Sequence, residues 1–173
     1  ELFEILLASK SNLPPDRPVH FFGCGHPMLF PMAIALGVDL FDSAAYAIFA
    51  RDDRLLTPDG TVKLGDIQEW PFNSHALFGT TPQEVREMDR DERSVILAKH
   101  NLEVTQSELA RCREAIRDGT IWELAEKRSH ASPYLRESFL WLQEQLDDPD
   151  DGPIGDSVLR MIASTNPLRG GGE

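Results

Sequence analysis

Cysteine is nearly absent: Cys24 and Cys112 are the only two in 173 residues, and they stand far apart. That excludes a disulfide-stapled domain and a Cys-x-x-Cys metal knuckle, and points to two reduced thiols of a cytosolic chain. Long apolar runs are absent too. The longest, Met28 to Leu40, is interrupted by Pro31, Gly37 and Asp39, and so falls short of the about 20 residues a membrane span needs. No N-terminal stretch has the form of a secretion signal, so the expected location is the cytoplasm, with no membrane partner. Basic residues are also scarce, with 17 Lys and Arg against 29 Asp and Glu for a net charge of -12. This balance weighs against a nucleic-acid partner, because phosphate binding is driven by cationic side chains. The acidic residues gather between Glu84 and Glu92 and between Asp147 and Asp151. Such clustering suits a solvated surface adapted to high salt, where screening weakens their mutual repulsion.

What is present is enough apolar residue, 41%, to bury one ordinary core. The chain opens inside an amphipathic helix, Glu1 to Lys10, with neither a starting Met nor a cap, and reads as a fragment or split product. Pro14 and Pro15 end that helix. Val19 to Phe22 reads as a buried strand that stops at Gly23-Cys24-Gly25. A helix from Met28 to Leu36 follows, with Pro27 at its first turn and Gly37 as its stop. Val38 to Asp42 is the next strand. Strand, helix and strand over so short a span form a βαβ unit with parallel strands and a right-handed crossover, so the fold class is α/β. After Ala44 the pattern weakens through the turn Thr57 to Thr61 toward a short extended stretch at Val62 to Leu64. Thr81, Pro82 and Glu84 mark a capped helix start. Helical segments are expected from Ser94 to His100, continuing into Val104 to Arg117, and at Ile121 to Arg128 and Pro133 to Leu146. Asp147 to Gly152 reads as an acidic linker, and Arg169 to Glu173 as a tail.

Asp39 and Asp42 share a strand three positions apart, so they face opposite sides and cannot act as a close carboxylate pair. One should sit at the strand's mouth and the other be hydrogen-bonded nearby. Asp42 ends the strand, where parallel α/β folds keep reactive groups; the commoner role for such a residue is to cap the turn through Ser43, Ala44 and Ala45. The Gly23 to His26 turn suits a phosphate or ligand at a helix start, although it is not a Gly-x-Gly-x-x-Gly loop. His26 reads more readily as a cap or core residue than as a catalyst. His75 and His100, with no cysteine between them, do not have zinc-ligand spacing. Arg51, Asp52, Asp53 and Arg54 read as an exposed ion-pair network.

The runs Ala8 to Pro14, Pro18 to Met28, Asp39 to Asp53 and Leu56 to Thr61 closely resemble archaeal tRNA-guanine transglycosylases. The likeness continues through Thr81 to Glu84 and Lys99 to Leu102, to Ser132. Its most specific elements are Gly25-His26-Pro27-Met28 and Asp39-Leu40-Phe41-Asp42-Ser43 at their mutual spacing. The resemblance implies a TIM-type (β/α)8 barrel with a zinc subdomain, and exchange of a guanine in RNA for a 7-deazaguanine base such as preQ0. No redox or nucleotide cofactor is implied. By motif position Asp42 matches the carboxylate that attacks C1′ and forms a covalent nucleotide intermediate. Phe22 matches the side chain that stacks on the base, with Gly23, Gly25 and His26 lining the same substrate site. Arg51 falls at a basic contact to the nucleic acid, and Arg54 is grouped with it.

On this reading residues 1–70 are the last βα units of the barrel, 71–146 a helical subdomain at the zinc position, and 147–173 linker and tail. The family's Cys-x-Cys-x-x-Cys ligands fall at Phe72, Ser74 and Leu77, and only His100 of the set is retained, so no metal is expected. Either packing of Phe72 and Leu77 replaces the zinc or the subdomain has decayed. The upstream barrel, with the family's other essential aspartate, is not in this sequence. The chain alone is therefore expected to be inactive and to need an N-terminal half-barrel chain or a second copy of itself. Two alternatives stand beside a tRNA enzyme: a transglycosylase acting on DNA, and an inactive scaffold or binding relative.

Overall fold

The computed structural model describes residues 1–14 and 16–147. The linker and tail expected beyond Asp147 lie outside the described residues. Helix α1 (Leu2–Lys10) leads to strand β1 (His20–Phe22), a single 3-10 turn (Pro27–Leu29) and helix α2 (Phe30–Ala35). Strand β2 (Leu40–Asp42) follows and pairs with β1 in parallel, aligning His20 with Leu40, Phe21 with Phe41 and Phe22 with Asp42. The expected βαβ unit is present, and the class is mixed α/β with helix predominating.

Helix α2 is apolar on every side, and Phe30 through Leu36 are all buried. A helix of that kind is stable only when covered all round, and the cover comes from α1, from β1 and β2, and from three helices late in the chain. These are the C-terminal part of α5 (Arg90–Arg117), α6 (Ile121–Ser129) and α7 (Pro133–Asp147), which contribute Cys112, Ala115, Ile121, Ala125, Leu135, Phe139 and Leu142 to the same core. Gly37, at φ 84, ends α2, and Lys10 Nζ donates to its carbonyl at 2.8 Å, tying α1 to the turn. Asp39 behaves as the hydrogen-bonded member of the aspartate pair. Its Oδ2 accepts from the Val19 amide at 2.7 Å while its own amide donates to the Val19 carbonyl at 2.9 Å, which fixes the entrance of the two strands.

One helix and one strand went unread in the sequence, while the turn at Thr57–Thr61 and the extended stretch near Val62 are the tip and second strand of a hairpin. Helix α3 (Ala45–Arg51) directly follows Asp42, and a β-hairpin of β3 (Arg54–Thr57) and β4 (Gly60–Lys63) follows that. Both join a second core of Ala50, Leu55, Leu64, Leu77, Val85 and Leu97. Helix α4 (Pro82–Glu87) starts with the expected capping box: Thr81 Oγ1 accepts from the Glu84 amide, and Glu84 returns a carboxylate to the Thr81 amide at 2.7 Å. The expected continuation of Ser94–His100 into Val104–Arg117 is present as one helix, α5, begun by Asp89 accepting from the Asp91 amide. Nothing between His100 and Val104 breaks a helix, since neither Gly nor Pro occurs there. At a rise of about 1.5 Å per residue, α5 spans both cores.

The cores are bridged by a buried ion pair. Arg128 Nε and Nη2 donate to Glu108 Oε1 and Oε2 at 2.7 and 3.0 Å, and Nη1 donates to Asp59 Oδ1 at 3.0 Å. The Arg128 and Glu108 side chains are 3% and 1% exposed. The bidentate geometry joins α6, α5 and the β3–β4 turn. Removing one partner strands the other charge, so Arg128→Ala should lower the unfolding free energy by about 3–5 kcal/mol in urea denaturation. The double substitution Arg128→Met, Glu108→Leu should lose much less than the sum of the two single ones. Strictly additive losses would show that the pair is not coupled.

Candidate active site

The candidate site is at the C-terminal ends of β1 and β2. Direct partners in adjacent strands put their side chains on one face, and both strands alternate exposed, half-buried, exposed. Phe21 and Phe41 therefore turn inward, where Phe41 packs 4.7 Å from Phe30. His20, Phe22, Leu40 and Asp42 share the open face. Phe22 is 79% exposed, with the His20 ring edge-on at 6.0 Å. The amide of Gly23 donates to the Asp42 carbonyl at 2.8 Å, which locks the aromatic ring and the carboxylate side by side.

The capping role that competes for Asp42 is taken by its neighbour. Ser43 Oγ accepts from the Ala45 amide at 3.0 Å, and Ala44, at the N-cap position of α3, offers no side-chain bond of its own. Among the described residues the Asp42 carboxylate makes no hydrogen bond or ion pair. It stands exposed at the strand end beside Phe22.

The Gly23–His26 loop is held tightly behind this pair. Gly23 has φ 79, a conformation other residues adopt only with strain. A Cβ on Gly25 would come 2.1 Å from Ser43 Oγ and 2.2 Å from its Cβ, so only glycine lets the loop close onto the β2–α3 turn. Cys24 is buried, which pushes its thiol up to about 12 and leaves it protonated and unreactive at neutral pH. His26 serves the fold. Its Nδ1 accepts from the Met28 amide at 3.3 Å as the cap of the 3-10 turn, and its ring meets Phe49 edge-on at 5.8 Å. Burial lowers its pKa to about 4, so it is neutral near pH 7.

Arg51 is exposed at the end of α3, and the Arg54 guanidinium lies 5.9 Å above the Phe49 ring. The four-residue charge cluster does not pair internally. Asp53 is drawn away to Arg93, whose Nε donates to it at 2.8 Å, because α5 passes beside the α3–β3 turn. Sequence reading missed Asn101 and Glu103 on α5. Asn101 Oδ1 accepts from the Leu56 amide at 2.7 Å, and its Nδ2 donates to the carbonyls of Tyr46 and Arg54 at 3.0 and 3.1 Å. For Asn101 the signal was the polar run Lys99-His100-Asn101 inside one helix, which cannot all face solvent; Glu103 carried none.

A family profile described as queuine tRNA-ribosyltransferase matches residues 1–134. The chain belongs to this family. Among relatives of the archaeal type, the tRNA-guanine(15) transglycosylase of Pyrococcus abyssi is 48% identical over 139 residues, covering 80% of this chain and 24% of its own length. That of Methanothermobacter thermautotrophicus is 48% identical over 147 residues, 85% of this chain and 22% of its own. The Methanocaldococcus jannaschii protein of the same name is 46% identical over 150 residues, 85% and 23% respectively. The chain thus spans about a quarter of the length of the curated relatives it matches. The matched family segment contains the whole Phe22–Asp42 arrangement and the α5 residues that brace it.

Two measurements check this geometry. Gly25→Ala should destabilise the chain in urea, and Gly25→Ala with Ser43→Gly should recover part of the loss; no recovery would mean that the Ser43 contact is not the cause. The second is pH dependence. His26 and His100 both have pKa values lowered by burial from their ordinary 6.5. The unfolded chain therefore takes up protons first, and stability held above pH 6.5 is lost as pH falls through the folded values, about 4 for His26. The slope should lessen in His26→Asn, which keeps a capping acceptor but does not titrate. An unchanged slope would remove His26 as a contributor.

Proposed function

We propose that this chain forms the nucleophile-bearing end of a tRNA-guanine transglycosylase. The observation that carries the reading is the unpartnered Asp42 carboxylate set beside exposed Phe22 at the parallel strand ends, within the segment matched by the family. The reaction is base exchange. One Asp42 oxygen attacks C1′ of the target nucleotide as the bond from C1′ to guanine breaks through an oxocarbenium-like state, and guanine leaves with the bonding pair. The incoming 7-deazaguanine, a preQ0-type base, then attacks C1′ and releases the carboxylate. Phe22 offers a flat face to the bound base, and Gly23 and Gly25 leave room for its close approach. His26 contributes by holding the loop. Arg51 and Arg54 supply contacts to phosphate despite the overall acidity, which makes binding sensitive to salt. No redox or nucleotide cofactor enters.

Residues 1–70 are read as the last βα units of a TIM-type barrel, and 71–146 as a helical subdomain woven into both cores. The open face of β1 and β2, with His20, Phe22 and Leu40 uncovered, supports this reading. Among the described residues neither outer edge of that sheet is paired, and parallel strands are normally covered on both faces. Further strands, from a longer polypeptide, a separate N-terminal half-barrel chain or a second copy, would close the barrel and bring the remaining catalytic groups.

The test is incorporation of labelled guanine by this chain joined to, or co-expressed with, the segment that completes the sheet. Exchange into tRNA is expected, and Asp42→Asn should reduce it by at least about a thousandfold, as loss of a nucleophile does. Phe22→Ala should weaken use of the base by about 1–3 kcal/mol. Exchange into DNA alone would replace the tRNA substrate, and exchange indifferent to Asp42→Asn would remove this residue from the mechanism. No exchange into either nucleic acid would leave a scaffold.

A further inference from the structure

The segment from Trp70 to Thr80 occupies the place where the family resemblance implies structural zinc, and its residues do not fit that metal. Phe72 stacks on the His100 ring at 4.5 Å and 26°. Leu77 is 2% exposed inside the second core. Ser74 is engaged with Glu103, its Oγ donating at 2.7 Å. His100 donates from Nε2 to the Leu56 carbonyl at 3.1 Å, and its Nδ1 is buried with no partner among the described residues. That nitrogen is the one donor atom of a ligand set otherwise replaced by a phenyl ring, a hydroxyl and an isobutyl group. Nowhere among the described residues do three His, Cys, Asp or Glu side chains gather as metal ligands would.

The segment is nonetheless tied down on three sides. Trp70 Nε1 donates to the Thr80 carbonyl at 2.7 Å and closes its neck. The Trp70 and Phe72 rings stack at 6.2 Å, and Phe72 continues the stack onto His100. At the far end the Glu103 carboxylate accepts from Ser74 Oγ and from the Ala76 amide, at 3.0 and 3.3 Å to its two oxygens. His100, Asn101 and Glu103 come from one turn of α5. The first two grip the carbonyl and amide of Leu56; the third grips the 74–76 loop.

We propose that this turn of α5 is a metal-free clasp, in which the Glu103 carboxylate and the Trp70–Phe72–His100 stack hold the 70–80 loop that a structural metal would otherwise order. An ionised carboxylate suits the task, since it accepts several bonds at once and its bonds to N–H and O–H donors are about twice as strong as neutral ones. Burial pushes the Glu103 carboxyl upward, but the bonds from Ser74 and from the Ala76 and His75 amides outweigh it and set its pKa below the ordinary carboxylate range. The clasp thus stays charged at neutral pH. The inference rests on family membership and on these contacts, and is independent of the chemistry assigned to Asp42.

The test uses the full chain purified from zinc-supplemented medium, with metal content measured by mass spectrometry and thermal unfolding followed with and without a chelator. Zinc far below one per chain and a Tm indifferent to chelator are expected; stoichiometric zinc, or a Tm that falls on chelation, would overturn the proposal. The second arm is amide hydrogen exchange in Glu103→Gln, a substitution of nearly the same shape. The Ala76 amide should exchange about tenfold faster or more, with α2 amides unchanged. Unaltered protection at Ala76 would equally overturn it.

Discussion

Leu56 is completely buried, yet its amide and carbonyl both point toward α5 and need partners there. Buried backbone groups left unpaired cost about 1–3 kcal/mol each, so the hairpin can pack on α5 only if the helix supplies polar atoms at that spot. It does so with Asn101 and His100. Asn101 also reaches the carbonyls of Tyr46 and Arg54, which belong to the helix after Asp42 and to the strand after that. The position of α3, and with it the turn that follows the candidate nucleophile, is therefore set by one side chain from a helix more than fifty residues later.

The site is built by subtraction as much as by placement. Ser43 takes the capping bond, Asp39 takes the strand-entrance bonds, Gly23 satisfies the Asp42 carbonyl, and Arg93 draws Asp53 aside. What remains is an exposed anion beside an exposed ring, on a sheet face that invites more protein or a flat ligand. Of the net charge of -12, the part that lies more than about 8 Å from that face is largely screened at physiological salt.

Local signals were legible in the sequence and distant ones were not. Glycine and proline punctuation located β1, α2 and β2, and Thr81 with Glu84 gave the start of α4, because turns and caps are decided by residues a few positions apart. The odd spacing of Asp39 and Asp42 is enough to separate their roles. Helix α3 has an alanine at its N-cap position, and β3 has buried Leu55 and Leu56 side by side instead of an alternating pattern. Their existence depends on α5 packing over them. The same holds for Arg128 and Glu108, twenty residues apart, which look like ordinary surface charges in sequence. For the site, Asp42, Phe22 and the glycines followed from motif and strand end. The role of His26 as a cap was open, and the tasks of Asn101 and Glu103 were hidden because their partners lie more than twenty-five residues away in the chain.

Peptide mapping tests most directly whether the Asp42 carboxylate is the group that attacks C1′. The completed enzyme would be mixed with guanine-containing tRNA, quenched in acid during turnover and digested with nuclease and protease. A nucleotide-sized mass on the peptide holding Asp42, absent in Asp42→Asn, is the result expected. An adduct on a different carboxylate, with Asp42 unmodified, would contradict it.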